Sequence, residues 1–214
     1  MTTQKLLTEW LDIYQKEHIK ARTYSRYQGI IKMHIIPILG KKSISELGRR
    51  EIQEFLIQQK KDGNIRNGNK LSATSTNMML SVLNLAFEYA CDMEYIEENP
   101  CARVRRAKVE TKKIEAFTVE EQRALEREIA GSDDRRLHGI LLCLYTGLRI
   151  GELLGLTWDD VDFERGVIKI TKTVYREKSQ SGEWQLCVDT PKTKASDRVI
   201  PLPQPRGLSF FSVK

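Results

Sequence analysis

An arginine and a glutamate stand three residues apart in the segment LYTGLRIGELLGLTWDDVDF, residues 144–163. Gly147 is of the type that ends a helix and permits a sharp turn, which predicts a helix, a corner and a second short helix. Arg149 then begins the second helix, and Glu152 lies on the same face, where its carboxylate can pair with the guanidinium. A guanidinium held in this way suits two oxygens of a phosphate. The alternative is a purely structural salt bridge.

The four cysteines, in contrast, favour no particular chemistry. Cys91, Cys101, Cys143 and Cys187 lack the C-x-x-C spacing of zinc sites. We interpret them as reduced thiols and expect neither a metal nor a cofactor. The N-terminal residues contain acids and predict an amphipathic helix rather than a signal peptide, and no apolar run is long enough for a membrane helix. We therefore expect a cytoplasmic protein that does not contact a membrane.

Charge is distributed unevenly along the 214 residues. Residues 1–116 contain 20 Lys and Arg against 14 Asp and Glu, whereas residues 117–214 contain 15 of each. The net charge of +6 therefore arises entirely in the first half. A basic module indicates a polyanionic partner, and nucleic acid is the most common one. The alternative is an ordinary basic protein.

Apolar residues at helical spacing predict four helices within residues 1–99. The fourth runs from about Thr74 to about Tyr95, and Pro100 follows it, because the residue before a proline avoids the helical region. Residues 100–116 then hold six cations against two acids, with little apolar periodicity. This composition predicts an extended basic linker. The linker is either a solvated tether or a strap along a phosphate backbone.

A second domain is predicted over residues 117–202. Thr118 and Glu121 form a capping box that begins a helix, and further helices lead to the Arg149 corner. The period then changes to two, and GVIKITKTVY, EWQLCVDT and DRVIPL predict a three-stranded antiparallel sheet. The expected fold is mainly α with a small β part: a four-helix domain, then an α+β domain. Residues 203–214 are expected to form an irregular tail.

The box TGLRIGELLGLTWDDVD resembles the first catalytic arginine box of the tyrosine recombinases, the integrases of phages and transposons. The order of helical module, basic linker, box and strands is also similar to the SAM-like core-binding and catalytic domains of that family. The resemblance covers about residues 3–202 and is greatest to integrases of phages and conjugative elements in Gram-positive bacteria. It implies a site-specific recombinase that cuts and rejoins double-stranded DNA at attachment sites, together with other recombinase protomers.

The resemblance also implies roles for individual residues. Arg149 matches the first of two arginines that stabilise negative charge on the phosphate under attack. Lys192, in TPKTKASDRVIPL, matches the hairpin lysine that donates a proton to the leaving oxygen, with Lys194 as the alternative. Lys192 is otherwise a solvated turn residue. Glu152 matches an acidic position that orients neighbouring groups.

The sequence departs from the family pattern after DRVIPLP. That pattern requires a His-x-x-Arg box, a His or Trp and a tyrosine nucleophile, and none of them follows. We therefore expect a C-terminally truncated recombinase that does not cleave DNA by itself. The alternatives are a non-catalytic protein that occupies attachment sites and a degenerate product without a role.

In the family the second and fourth helices of the first domain face DNA, which implies contacts in this chain. The candidates in the two helices and the linker are Arg22, Thr23, Arg26, Thr74, Ser75, Asn77, Arg105, Arg106, Lys112 and Lys113. Small polar residues at a helix start favour backbone phosphates. The alternative for Thr74 or Ser75 is a plain N-cap.

Overall fold

The computed structural model describes residues 1–64, 68–110, 113, 115–178, 182–190 and 197–202. It divides into two units, Met1–Lys113 and Ile114–Lys214. The first unit is helical, and the second combines helices with small antiparallel sheets. This architecture confirms the predicted fold class, mainly α with a small β part.

Four helical segments form the first unit, as the periodicity predicted. Their bounds are α1 (Thr3–Glu9) with a π-helical continuation (Trp10–Gln15), α2 (Ala21–Ile30) with a π-helical continuation (Ile31–Ile35) and α3 (Ile36–Leu39), α4 (Arg49–Asp62), and α5 (Ala73–Asp92). The π-helical turns were not predicted. Pro37 is the second residue of α3, which directly follows the π-helical turn.

A single apolar core joins these helices. Its largest fully buried side chains are Trp10, Phe87, Leu6, Leu7, Ile35, Leu39, Ile52, Met79 and Leu83. Trp10 also stacks on Tyr27, with ring centroids 5.9 Å apart. Burial of each large apolar side chain contributes about 1.5–3 kcal/mol. Among the described residues, the apolar cluster of the second unit has only three buried side chains, Leu148, Ile168 and Ile170, so the first unit has the larger core.

The first part of the predicted linker belongs to this core. Cys101 and Val104 are buried in it, and the main-chain N–H of Arg105 donates to Oε1 of Gln53 in α4 at 3.1 Å. The sequence predicted an extended linker over residues 100–116, whereas the stretch up to Ala107 packs on the helices. Two isolated apolar residues among six cations were too weak a pattern to predict that burial.

In the second unit, the helices precede the sheets. They are α6 (Val119–Ala130), α7 (His138–Thr146) and α8 (Ile150–Gly155). The predicted capping box is present: the N–H of Glu121 donates to Oγ1 of Thr118, and the N–H of Thr118 donates to the Glu121 carboxylate.

The strands correct one detail of the prediction. A three-stranded antiparallel sheet is present, but it consists of β1 (Val161–Asp162), β2 (Val167–Ile170) and β5 (Arg198–Pro201) in the order β1-β2-β5. A separate ribbon pairs β3 (Thr173–Lys178) with β4 (Trp184–Asp189). The run GVIKITKTVY is therefore two strands. It breaks at Lys172, whose ammonium binds Asp160 at 2.7 Å and Thr157 at 3.0 Å.

Helix α8 lies directly against β3 through a glycine. A Cβ atom on Gly151 would stand 2.5 Å from Oγ1 of Thr173 and 3.0 Å from the carbonyl oxygen of Val174. Any larger residue would force the Thr173 side chain to move and would crowd the Val174 carbonyl. The contact fixes α8, and with it the Arg149 corner, on the β-structure of this unit.

Candidate functional site: an arginine corner and a basic helical unit

The corner that carries Arg149 has the predicted geometry. Helix α7 ends at Gly147, which adopts the left-handed conformation with φ of 67°. Arg149 is the N-cap residue of α8, in an extended conformation. Its main-chain N–H donates to Oε2 of Glu152 at 2.9 Å, and its guanidinium donates to Oε1 of the same carboxylate at 2.9 Å.

A second arginine completes the arrangement. Arg198, the first residue of β5, donates from its two terminal nitrogens to the two oxygens of Glu152, at 3.0 and 2.8 Å. The Glu152 carboxylate thus lies between two guanidinium groups that are 49 residues apart in the sequence. Arg198 was not among the residues predicted from the sequence. No local spacing links it to Glu152, because pairing of β5 with β2 brings it to α8.

Exposure separates the roles of these three side chains. The Glu152 side chain is only 6% exposed, whereas that of Arg149 is 70% exposed and that of Arg198 is 28% exposed. The guanidinium of Arg149 is therefore tied at one nitrogen and open to solvent over most of its surface. Such a group can offer its remaining N–H donors to an anion with two oxygens. The structural salt bridge and the exposed cation are thus both present.

The paired arginines keep Glu152 ionised. Hydrogen bonds from Arg198 have the largest effect on its pKa, and bonds from the main chain and side chain of Arg149 add to it. Together they outweigh the desolvation of the carboxylate, and they lower its pKa from 4.5 to about 2. The cluster of Arg149, Glu152 and Arg198 consequently bears one net positive charge at any pH well above 2.

This depressed pKa predicts acid sensitivity of the second unit. A carboxylate whose pKa is lower in the folded state stabilises the fold above its unfolded pKa, and that contribution is lost as the pH falls. We expect the stability difference between the wild-type chain and Glu152→Gln to shrink as the pH falls from about 4.5 to about 2. Thermal unfolding of both proteins across this range measures it. A difference independent of pH would contradict the assignment.

Lys192 and Lys194 lie outside the described residues. They belong to the connection between β4 and β5, and Arg198 begins the strand that follows. Their proposed role as a proton donor stays a prediction.

Candidate DNA-binding residues of α2 lie in its first two turns. Arg22 and Arg26 are exposed, and Thr23 between them is half-buried. Arg26 also borders an open groove whose other lining residues include Met33 and His34. This placement leaves the two arginines accessible from solvent, on the helix that the resemblance implies for DNA.

The start of α5 differs from the N-cap alternative considered for Thr74 and Ser75. Ser72 is the N-cap residue, and its Oγ accepts from the N–H of Ser75 at 3.1 Å. Thr74 is exposed in the first turn, and the hydroxyls of Ser72 and Ser75 lie 2.9 Å apart. Thr74 is therefore not needed as a cap.

Asn77 binds the main chain of residues 105–113, which we call the basic segment, instead of pointing its amide to solvent. Its Oδ1 accepts from the N–H of Ala107 at 2.8 Å, and its Nδ2 donates to the carbonyl of the same residue at 2.9 Å. Arg106 adds a bond to the Ser81 hydroxyl at 3.2 Å. We call the Asn77–Ala107 pair the amide clamp. It places Arg105 and Arg106 beside α5 with exposed side chains.

Removal of the amide clamp should loosen this segment. We expect Asn77→Ala to destabilise the first unit by about 1–3 kcal/mol, because two half-buried main-chain groups lose their partner. Amide hydrogen exchange at Ala107 should accelerate at the same time. Thr74→Ala, on the same helix, is the control and should leave the exchange rate at Ala107 unchanged. Equal protection of Ala107 in both variants would contradict the role of the clamp.

Lys113 is exposed, and Lys112 lies outside the described residues. Within the described ranges, no group of three or more His, Cys, Asp and Glu side chains is placed to hold a metal ion. In the same part of the chain, no helix has the length and apolar character that crossing a bilayer demands.

Family models match both units. The model described as the phage integrase N-terminal SAM-like domain matches residues 2–60, and that of the phage integrase family matches residues 100–202. A XerC-like tyrosine recombinase of Caldanaerobacter subterraneus is 30% identical over 95% of this chain and 52% of its own length. The ICEBs1 integrase of Bacillus subtilis is 30% identical over 85% of this chain and 46% of its own. The chain thus spans about half the length of these curated relatives.

Solved structures agree with these matches. The Tn1549 transposon integrase in complex with transposon right end DNA is 26% identical, with a TM-score of 0.75 over 95% of this chain and 62% of that chain. A lambda integrase tetramer bound to a Holliday junction is 25% identical, with a TM-score of 0.64 over 87% of this chain and 50% of that chain. The sequence box, the order of the domains, the family models and these structures together show that the chain belongs to the phage integrase family of tyrosine recombinases, the site-specific recombinases.

Proposed function

We propose that this chain binds double-stranded DNA at recombination sites, with the helical unit and its basic segment along the duplex and Arg149 on a backbone phosphate. The observation that carries the proposal is the exposed guanidinium of Arg149, fixed at a helix corner by a buried carboxylate. A fixed fork of donors binds a phosphate without first losing side-chain freedom. The exposed cations of α2, together with Arg105, Arg106, Lys108 and Lys113, supply the sequence-independent attraction.

Within this proposal, Arg149 stabilises the charge that develops on a non-bridging phosphate oxygen, and Glu152 orients it. When a tyrosine hydroxyl attacks that phosphate and forms the 3′-phosphotyrosyl bond, the bond to the 5′ oxygen breaks, and Lys192 or Lys194 delivers the proton that this oxygen takes as it leaves. A donor fixed before the reaction contributes about a hundred- to a thousandfold in rate in comparable sites. Association with other protomers on DNA, as in the lambda integrase tetramer, is part of the same proposal.

A second candidate is DNA binding without chemistry by the 214-residue chain itself. The tyrosines of the second unit, Tyr145 and Tyr175, favour it. The Tyr145 hydroxyl donates to Glu126, and this bond, with burial and the nearby negative charge, raises the pKa of the phenol. A raised pKa reduces the ionised fraction of this phenol near neutral pH, whereas a lowered pKa is one way in which enzymes activate a nucleophile. Tyr175 is paired within the β3–β4 ribbon, opposite Cys187.

The test combines binding and covalent capture. A fluorescent duplex of about 30 base pairs is titrated with the wild-type chain and with Arg149→Gln at several salt concentrations. We expect salt-sensitive binding by the wild-type chain, and a salt slope lower by about 0.9 in the variant, as for one lost phosphate contact. No binding at low salt would overturn both candidates.

A nicked duplex that traps 3′-phosphotyrosyl adducts separates the two candidates. A protein–DNA band that survives denaturation and disappears in Tyr145→Phe or Tyr175→Phe supports catalysis by this chain. Binding without such a band supports the non-covalent candidate.

A further inference from the structure

Each oxygen of the Glu152 carboxylate is bonded to both arginines. Oε1 accepts from the guanidinium groups of Arg149 and Arg198, at 2.9 and 3.0 Å. Oε2 accepts from the main-chain N–H of Arg149 and from Arg198, at 2.9 and 2.8 Å. Four donors occupy the roughly four acceptor sites of a carboxylate. The orientation of Glu152 is therefore set by Arg198 as much as by Arg149.

The two arginines approach the carboxylate in different ways. Arg198 forms the two-point fork, which fixes both the position and the plane of the carboxylate. Arg149 uses one side-chain nitrogen for Glu152, and its side chain remains 70% exposed. If Arg198 were absent, the guanidinium of Arg149 would be the strongest ligand for the buried carboxylate. It would then turn inward to form the two-point pair itself.

Charge leads to the same conclusion. Arg149 and Glu152 alone form a neutral pair, which attracts an anion weakly. Arg198 provides a second guanidinium, so the three side chains bear one net positive charge. An anion in solvent can approach this surplus charge mainly at Arg149, since Arg198 is only 28% exposed and Glu152 is 6% exposed. Arg198 therefore leaves the charge of Arg149 available to an incoming phosphate.

We propose that Arg198 is a positioning residue for Arg149: it occupies the Glu152 carboxylate from β5, and so keeps the guanidinium of Arg149 turned outward for a DNA phosphate. This inference rests on the proposed function, namely that Arg149 binds a phosphate. Arg198 acts through Glu152 and does not itself contact the DNA. Through Arg198, strand β5 bonds to the Arg149 corner at the start of α8. Lys192 and Lys194 precede this strand in the sequence.

A double-mutant cycle on the full chain tests this relation. Duplex affinity is measured for Arg149→Gln, Arg198→Gln and the double variant, with Arg165→Gln as the matched control. Arg165 is an exposed arginine of the same unit whose acidic partner, Asp162, lies 3.9 Å away. At about 0.1 M salt we expect roughly an eightfold loss for each of the first two variants, the effect of one phosphate contact. We expect the double variant to bind as Arg149→Gln does.

Other outcomes of the cycle would overturn the inference. Additive losses would mean that Arg198 contacts DNA independently, and wild-type affinity of Arg198→Gln would mean that it only stabilises the fold. Arg198→Lys keeps the charge but lacks the two-point fork, so we expect it to bind more weakly than the wild type; full affinity would contradict a positioning role. Circular dichroism establishes folding, and Arg198→Lys replaces Arg198→Gln in the cycle if the latter unfolds.

The same titrations distinguish failure of the proposed function from failure of the positioning role of Arg198. If the wild-type chain does not bind the duplex, or if Arg149→Gln has no effect, the proposed function fails. If Arg149→Gln weakens binding and neither Arg198 variant does, only the positioning role fails.

Discussion

Replacement of Arg105, Arg106, Lys112 and Lys113 by alanine is expected to weaken duplex binding on the order of a thousandfold at about 0.1 M salt. Each phosphate that a cation neutralises releases counterions, and contributes about 0.9 to the slope of log affinity against log salt. Four contacts therefore lower that slope by about three to four. The described members of the set are exposed, and the amide clamp fixes the main chain next to Arg105 and Arg106 beside α5.

Fluorescence anisotropy between 50 and 300 mM salt measures this prediction. The control replaces four other exposed cations of the first unit, Lys16, Lys41, Lys60 and Lys61. It removes the same charge and should change the slope much less. Equal slopes for the wild type and the basic-segment variant would show that this segment does not contact the DNA backbone. An equal loss of duplex affinity in both variants would show that only the net charge of the first unit matters.

Substitution of Glu152 by alanine should have the largest effect on stability. The carboxylate is buried and receives four hydrogen bonds. Its removal leaves two guanidinium groups facing each other, and leaves the main-chain N–H of Arg149 without its acceptor. Because Arg149 can move into solvent, the cost is below that of a fully buried pair, and we expect about 2–4 kcal/mol. For a unit of about 100 residues this lowers the unfolding temperature by roughly 10–20 °C.

Differential scanning calorimetry of the full chain is the appropriate measurement, because the transition of the first unit serves as an internal reference. Glu128→Ala, an exposed carboxylate of α6, is the control and should stay within about 0.5 kcal/mol of the wild type. A Glu152→Ala protein that unfolds at the wild-type temperature would show that the carboxylate cluster does not stabilise this unit.

Sequence patterns predicted the features that depend on contacts between residues close together in the chain. The four helices of the first unit, the capping box at Thr118 and the turn at Gly147 were all evident in the sequence. The Arg149–Glu152 pair was predictable as well, because residues three apart in a helix are neighbours. These features depend on spacing alone, so they need no knowledge of the tertiary fold.

Features that depend on distant pairing were not predictable. Arg198 reaches Glu152 through the register of β5 on β2, which a single sequence does not reveal. The same holds for Asn77, which appeared as a candidate for DNA but binds the main chain of Ala107. Polar residues gave no indication of which partner they would choose, because protein main chain and nucleic-acid backbone offer the same kinds of hydrogen-bonding groups.

The amide clamp recognises only peptide groups at Ala107, and no side chain of the basic segment takes part in it. Mutation can therefore change the residues around position 107 without altering where the main chain runs. The number and spacing of the cations can therefore change while Asn77 keeps the path of the main chain. In this way the clamp makes the charge of the segment independent of its position on the fold.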